Sequence, residues 1–434
     1  MADSEKSSVV VGPSISELAS QVGTPLYLLD LDDLANRVAT FRSLATEGLH
    51  DAECIYSLKT NYLPAVLETV RAGGMGVDVV SGYELELALR QGFAPASIVF
   101  NGPVKRAAEL RRAVELGIRV NIDSITELRS IEAIAAASSV RAKVGLRLTS
   151  AIDPYTGATR TTQTKFGIPV EDPLAGRLLR SVLDADALSF QGFEAHLGSQ
   201  LVGASTHFAA LEPILSWVAS SSQRGSSLNL GGGFPVPGIS RRTTGLDPSR
   251  PGTAKANDFE FSEPDLKTWF SELHARLSKW GLSDLSVVVE PGRWIISEPM
   301  SLITNVVAIR DQAGGRVVVI DGGVNLLSTA GPGELHRFWT AHDAGVRMQD
   351  CLLVGPLCYE GDVWARDVKL PANLREGDQV VVKDAGAYSI TRASSFNQLR
   401  APVVAVTNGA WRVVWRRETL DDLLVFAEGT ELLG

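Results

Sequence analysis

Cysteine is scarce. Cys54, Cys351 and Cys358 are the only three in 434 residues. They cannot form a disulfide framework, and with no C-x-x-C pair to clasp zinc, no metal site is expected. A reducing, cytoplasmic setting fits that count. Basic runs are also missing: 41 Lys and Arg face 50 Asp and Glu, a formal charge of −9. That balance argues against nucleic acid or an anionic membrane as partner. No apolar run approaches the length of a membrane span. Met1–Ser8 is polar and acidic and lacks the apolar core of a secretory leader. Neither an internal repeat nor a low-complexity tract is present.

The composition is that of an ordinary globular chain, 45% hydrophobic and 21% charged, long enough for two or three domains. Met1–Pro13 reads as a loose tail, Ser14–Val22 as a short helix, Pro25–Leu29 as a strand and Leu31–Glu47 as an amphipathic helix. From Cys54 onward, short apolar runs alternate with helical stretches. The runs are Cys54–Leu58, Val77–Val80, Ser97–Phe100, Ile118–Ile122, Lys143–Leu148, Phe190–Ala195, Ser227–Leu230 and Leu285–Val289. Eight such units predict an α/β fold, a parallel sheet closed into a (β/α)8 TIM-like barrel, with an open doubly wound sheet as the alternative. Gly238–Asn257, rich in Gly, Pro, Arg and Thr, reads as a long loop near the barrel mouth. After Gly292 strand-like segments follow one another: Ile303–Arg310, Arg316–Ile320, Cys351–Val354, Gln379–Lys383, Pro402–Thr407 and Trp411–Arg416. They predict a second, mostly antiparallel β-domain into which Pro25–Leu29 would pair. The expected division is 33–297 for the barrel and 1–32 plus 298–434 for the β-domain.

In such a barrel the active site lies at the carboxyl ends of the strands. Those ends carry Lys59, Asp78, Asn101, Asp123, Arg147, His196, Gly231–Gly233 and Glu290. Lysine is unusual at the end of a buried strand. Burial disfavours its charged form, so its amine can be nucleophilic near neutral pH and able to form a Schiff base. Asn101 and Asp123 are as well placed to cap the next helix as to meet a ligand, and Ser124 competes for the same cap. The glycine triplet after the seventh strand and Pro291–Arg293 after the eighth suit a phosphate, where backbone N–H groups and a guanidinium can converge. Glu290 closes an apolar strand and needs a cationic partner, either a protonated ring nitrogen or Arg293. His196 reads as a core histidine or as a ring laid against a flat cofactor. A lysine for an aldehyde, glycines and an arginine for a phosphate, and a carboxylate for a ring nitrogen together describe pyridoxal 5'-phosphate.

The motifs Tyr56–Asn61, Gly76–Leu85, Lys165–Gly167, His196–Gln200, Gly231–Phe234, Glu290–Arg293, Gly355–Cys358 with Asp362, and Gly386–Tyr388 resemble, in order, those of the pyridoxal-phosphate decarboxylases of the alanine-racemase fold. That family includes the ornithine, arginine and diaminopimelate decarboxylases. The resemblance implies that Lys59 carries the cofactor as an aldimine, that His196 stacks on its ring and that Glu290 pairs with its nitrogen. It implies that Ser199, Gly231, Gly232, Gly233, Arg293 and Tyr388 hold the phosphate, with Asp78 near Lys59 and Arg147 near the cofactor. It implies an amino-acid α-decarboxylase acting through a quinonoid carbanion, with Cys358 or Lys59 returning the proton. In the family the counterpart of Cys358 reaches into the other subunit, which implies an obligate homodimer with shared sites. Cys54 and Cys351 read as small buried hydrophobes.

One region departs from the pattern. After the cysteine, diamine-forming members carry an acidic residue that reads the distal amine. Tyr359 stands here, followed by Glu360, and a phenol cannot replace an ion pair. With Asp362, these are the candidate substrate residues. Asp321–Leu327 also lacks the arginine that diaminopimelate decarboxylases carry shortly afterwards; the next is Arg337. The departure favours a specialised member acting on an amino-acid unit within a larger molecule, such as a siderophore, an antibiotic or a carrier-protein-bound intermediate. Diaminopimelate decarboxylase proper, an amino-acid racemase and a non-catalytic cofactor-binding protein are the alternatives.

Overall fold

The computed structural model describes residues 14–49, 51–161, 163–201, 203–221, 225–236, 239–242, 259–260, 265–330, 334–341 and 345–425. The tail before Ser14 lies outside them. The chain divides into two compact units. One comprises Ala35–Pro237 and Ser262–Ile296; the other draws on the segments before Ala35, between Gly238 and Phe261, and from Ser297 onward.

The first unit is a closed barrel. Its strands are Ala52–Ser57, Gly76–Val79, Ile98–Phe100, Arg119–Ile122, Ala142–Thr149, Leu188–Glu194, Ser227–Asn229 and Ser286–Val289. Each pairs in parallel with the next, and Ser286–Val289 returns to Ala52–Ser57, with Val288 opposite Glu53. All eight expected strands are present, and their closure excludes the open sheet. The apolar runs become strands because both faces are covered: helices pack outside and inward residues fill the interior. Ser81 and Ser124 cap the helices Gly82–Arg90 and Ile125–Ser138. Three residues after each cap, Glu84 and Glu127 reach back to the backbone N–H of Val80 and Asp123 at 2.7 and 2.9 Å. Ser124 rather than Asp123 is thus the cap, and Arg106, not Asn101, stands at the N-cap position of the next helix along, Ala107–Glu115.

Lys105 ties two barrel loops together from inside. Its Nζ donates to the carbonyls of Gly102 and Asn121 and to Glu127 Oε1, each at 2.9 Å, and its side chain is fully buried.

The second unit is a mixed, mainly antiparallel sheet. Its main path runs Val363–Pro371, Met348–Val354, Gly315–Ile320, Met300–Gln312, Leu26–Asp30, Val403–Thr407, Ala410–Trp415. Leu26–Asp30 pairs here as expected, antiparallel to Met300–Gln312 and parallel to Val403–Thr407. The helix Ile15–Val22, closed by a capping box between Ser14 and Glu17, sets Leu18 against Leu26, Ile303, Val381 and Val404. Val363–Pro371 escaped the sequence reading because Arg366, Asp367 and Lys369 interrupt its apolar pattern, and Asp367 takes a positive φ of 56°. The stretch read as a loop holds a strand, Ile239–Arg242, paired antiparallel with Glu334–His336 and Phe259–Glu260; the rest of Gly238–Asn257 lies outside the described residues. Among the described residues no helix is long and apolar enough to cross a membrane.

Lys105→Met should lower stability by about 3–5 kcal/mol, because it strands Glu127 as a buried, uncompensated carboxylate. The double variant Lys105→Met/Glu127→Leu should recover most of that loss, measured by denaturant unfolding. Equal losses in both variants would contradict the pairing.

Candidate active site

A cavity of about 550 Å³ opens at the carboxyl ends of the barrel strands, lined in part by Lys59, Arg147, Glu194, His196, Ser199 and Glu290. Its size falls in the ~300–1,000 Å³ range of small-molecule sites. Lys59 sits in a short 3-10 turn, Leu58–Thr60, that follows the first strand. Its Nζ lies 2.9 Å from Asp78 Oδ2, with a third of the lysine side chain exposed and Asp78 fully buried. The Ser57 hydroxyl donates to the same Asp78 oxygen at 2.9 Å. Burial opposes the charge on Asp78, but Lys59 and the surrounding donors outweigh it and hold the carboxyl below its usual range.

Glu290 follows the eighth strand and is buried. Its Oε1 accepts from Asn101 Nδ2 at 2.8 Å and from Asn229 Nδ2 at 2.7 Å. Burial, then repulsion from Asp78 and Glu194, pushes its pKa up to about 8. Asn101 also donates to Asp78 Oδ1 at 2.7 Å, so one carboxamide bridges both carboxylates. Its orientation follows from the far end of the chain. Arg119, which can only donate, gives its Nε to Asn121 Oδ1 at 3.2 Å. The Asn121 amide must then face Asn101 Oδ1, at 2.6 Å, which leaves the Asn101 amide facing the acids. Gly145 makes room for this row: a Cβ there would collide with Asn121 Oδ1.

Arg147 lies 3.0 Å from Glu194 and 3.4 Å from Asp123, and stacks on the Phe166 ring. Asp123 also accepts the Gly167 N–H at 2.7 Å. His196 Nδ1 accepts the Gly232 N–H at 3.0 Å, so the ring proton is on Nε2. Burial, then Lys59 and Arg147, pushes the imidazole down to about 3, and the ring is neutral at physiological pH. Ser199, which lines the cavity, exchanges two hydrogen bonds with the Tyr155 hydroxyl, both 3.0 Å.

The glycine triplet differs from the expected phosphate cradle. The N–H groups of Gly231 and Gly232 go to Asn229 Oδ1 and His196. Gly231 has a φ of 66°, and a Cβ there would strike the His196 ring. The triplet's visible role is to let the chain pass close to that imidazole.

Cys358, Tyr359, Glu360, Asp362 and Tyr388 belong to the second unit. Cys358 is exposed, Cys54 and Cys351 buried as expected. Tyr359 is 49% exposed and meets Phe396 edge-on. Glu360 is exposed and Tyr388 half-buried. Asp362 departs from its expected role as a substrate residue. It is buried and accepts the N–H groups of Val324 and Leu357 at 2.8 and 2.7 Å, so its carboxylate braces its own loop. The sequence reading missed Asn121, Asn229 and Glu194. A polar side chain inside an apolar barrel strand was the available signal.

Residues 31–297 match the pyridoxal binding domain of the pyridoxal-dependent decarboxylases. The chain belongs to that family. It is a pyridoxal-phosphate-dependent amino-acid decarboxylase, a carboxy-lyase, which sets aside the racemase and the non-catalytic binder. It is 31% identical to the diaminopimelate decarboxylase of Pseudomonas aeruginosa over 95% of this chain and 94% of that one. It is 30% identical to the diaminopimelate decarboxylase of Archaeoglobus fulgidus, over 96% and 95%. The crystal structure of the diaminopimelate decarboxylase of Helicobacter pylori complexed with L-lysine superposes with a TM-score of 0.79 at 26% identity, covering 96% of this chain and 99% of that one.

The residues fit the cofactor. A lysine amine reaches the cavity, a neutral imidazole stands in its wall, and Glu290 is a buried acid whose raised pKa marks a missing counter-charge. In the cofactor-free decarboxylase the fold favours protonated Glu290. Its contribution to stability is present below pH 4.5 and lost as pH rises through about 8. Glu290→Gln cannot titrate, so its unfolding midpoint should gain on the native protein as pH rises across that window. Parallel melting curves would contradict the assignment.

Proposed function

We propose that this decarboxylase removes a carboxylate from diaminopimelate, the substrate for which its full-length relatives are named. The observation that carries the reading is the end-to-end similarity to those enzymes at about 30% identity, joined to the Lys59–Asp78–Asn101–Glu290 row. It outweighs the specialised substrate expected from Tyr359. When bound, pyridoxal phosphate supplies the electron sink that lets a bond to Cα break. Lys59 is the residue that would hold its aldehyde, and Glu290 the one that would keep its ring nitrogen protonated. His196, neutral and buried, would lie against its face. With the N–H groups of Gly231 and Gly232 already given to Asn229 and His196, Ser199, Gly233, Arg293 and Tyr388 would hold the phosphate, with Asp78 and Arg147 keeping Lys59 and Glu194 in place. Asp78 holds the Lys59 amine at the cavity through an ion pair of 2.9 Å. Cys358 would return the proton to Cα, reaching the cavity of a second copy in a homodimer.

A second reading, an amino-acid unit inside a larger molecule, is favoured by one observation. Arg337, the first arginine after Asp321, is committed to Asp384 through two hydrogen bonds of 2.9 and 3.0 Å. It does not substitute for the arginine expected near the substrate.

Holoenzyme should release carbon dioxide from diaminopimelate, with Lys59→Ala inactive. Release from a larger conjugate alone would move the assignment to the second reading. Cys358→Ala should lower kcat by about 10²–10⁴-fold, as loss of a general acid does, and mixing it with Lys59→Ala should raise activity above that of either variant alone. If mixing restores nothing, the shared site is wrong.

A further inference from the structure

Four cations line the cavity: Lys59, Arg147, Arg160 and Lys165. Two are matched. Lys59 pairs with Asp78, and Arg147 with Glu194 and Asp123. Arg160 and Lys165 have no carboxylate partner among the described residues. Arg160 is held in position. Its backbone N–H donates to Ala151 O at 2.7 Å and its Nε to Ile152 O at 3.2 Å. It follows directly on the bridge between Ile152 and Thr159. An Asp153 turn, with Oδ1 accepting the N–H groups of Tyr155 and Thr156 at 2.9 and 3.0 Å, closes that hairpin. Tyr155 then clips it to Ser199. The backbone thus fixes Nε, while the two terminal nitrogens make no hydrogen bond to the described residues. A guanidinium presented this way is matched to a carboxylate in two-point geometry.

The chemistry says which carboxylate. A strong ionic grip on the group that leaves would stabilise the ground state more than the transition state and slow the reaction. Such a grip is productive on a carboxylate that stays. The second unit has no arginine shortly after Asp321–Leu327, and Arg337 is bound to Asp384.

We propose that Arg160, backed by Lys165, binds the substrate's retained carboxylate, so that the enzyme selects amino acids bearing a second, distal acidic group. This rests on the dicarboxylic-substrate reading above and moves recognition of the distal carboxylate onto a barrel hairpin. Arg160→Met and Arg160→Lys holoenzymes test it with two probes that need no turnover, pimelate and hexanoate, their binding followed by the cofactor absorption band. Arg160→Met should weaken pimelate about 10–100-fold, the worth of a charge-assisted contact, and leave hexanoate and the affinity for cofactor unchanged. Arg160→Lys should regain part of the loss. With diaminopimelate as substrate, Arg160→Met should raise KM by a similar factor. Unchanged pimelate binding overturns the proposal, as does a loss that comes with cofactor release, which would place Arg160 on the phosphate. If the native enzyme ignores diaminopimelate yet pimelate binding depends on Arg160, the substrate reading fails and the residue assignment stands. If diaminopimelate is decarboxylated with KM indifferent to Arg160, the reverse holds.

Discussion

Asp78 and Glu290 are two carboxylates inside one barrel, joined by the amide of Asn101 at 2.7 and 2.8 Å. Burial makes each costly and their mutual repulsion adds to the cost. The two are resolved differently. Asp78 has Lys59 beside it and stays ionised. Glu290 has only neutral amide donors, Asn101 and Asn229, and is pushed toward its protonated form. That asymmetry lines one cavity with both a cation-hungry acid and a held amine, the two groups that a pyridine ring with an aldehyde substituent calls for.

The supporting residues act by direction. A carboxamide can face either way, and with the wrong face toward an acid it would repel it. Arg119 removes that freedom because a guanidinium has no acceptor. Its orientation passes through Asn121 to Asn101, and Asn229 is held in turn by the Gly231 N–H. His196 is fixed as a neutral tautomer by the Gly232 N–H in the same way. The barrel therefore sets the protonation of its wall with backbone and amide dipoles, which are cheaper to bury than further charges.

Much of this was legible in the residues. The eight barrel runs could be read because strands covered on both faces need continuous apolar sequence, and the active-site residues followed from reading the polar positions in or just past each run. The second unit was harder. Its strands expose one face, so charges such as Arg366 and Lys369 enter the pattern, and short edge strands such as Phe338–Thr340 carry little signal. The specialised substrate was inferred from Tyr359 and from the arginine missing after Asp321–Leu327; the full-length similarity to diaminopimelate decarboxylases favours the alternative, because two local departures are a narrow basis for a substrate. Arg160 drew no notice in sequence, since it lies in a polar hairpin far from every strand end.

Residue types at strand ends determine the cofactor chemistry by themselves. An amine, a neutral ring and an acid have the same reactivity wherever the chain carries them, and their order along eight repeating units places them on one rim. Only the tertiary structure decided which partner each one has. Asn101 and Glu290 are 189 residues apart, Asn229 and Glu290 61. Hydrogen-bond direction and the balance of burial against charge exist only once barrel closure brings those positions within 3 Å, and so the protonation of the site belongs to the fold.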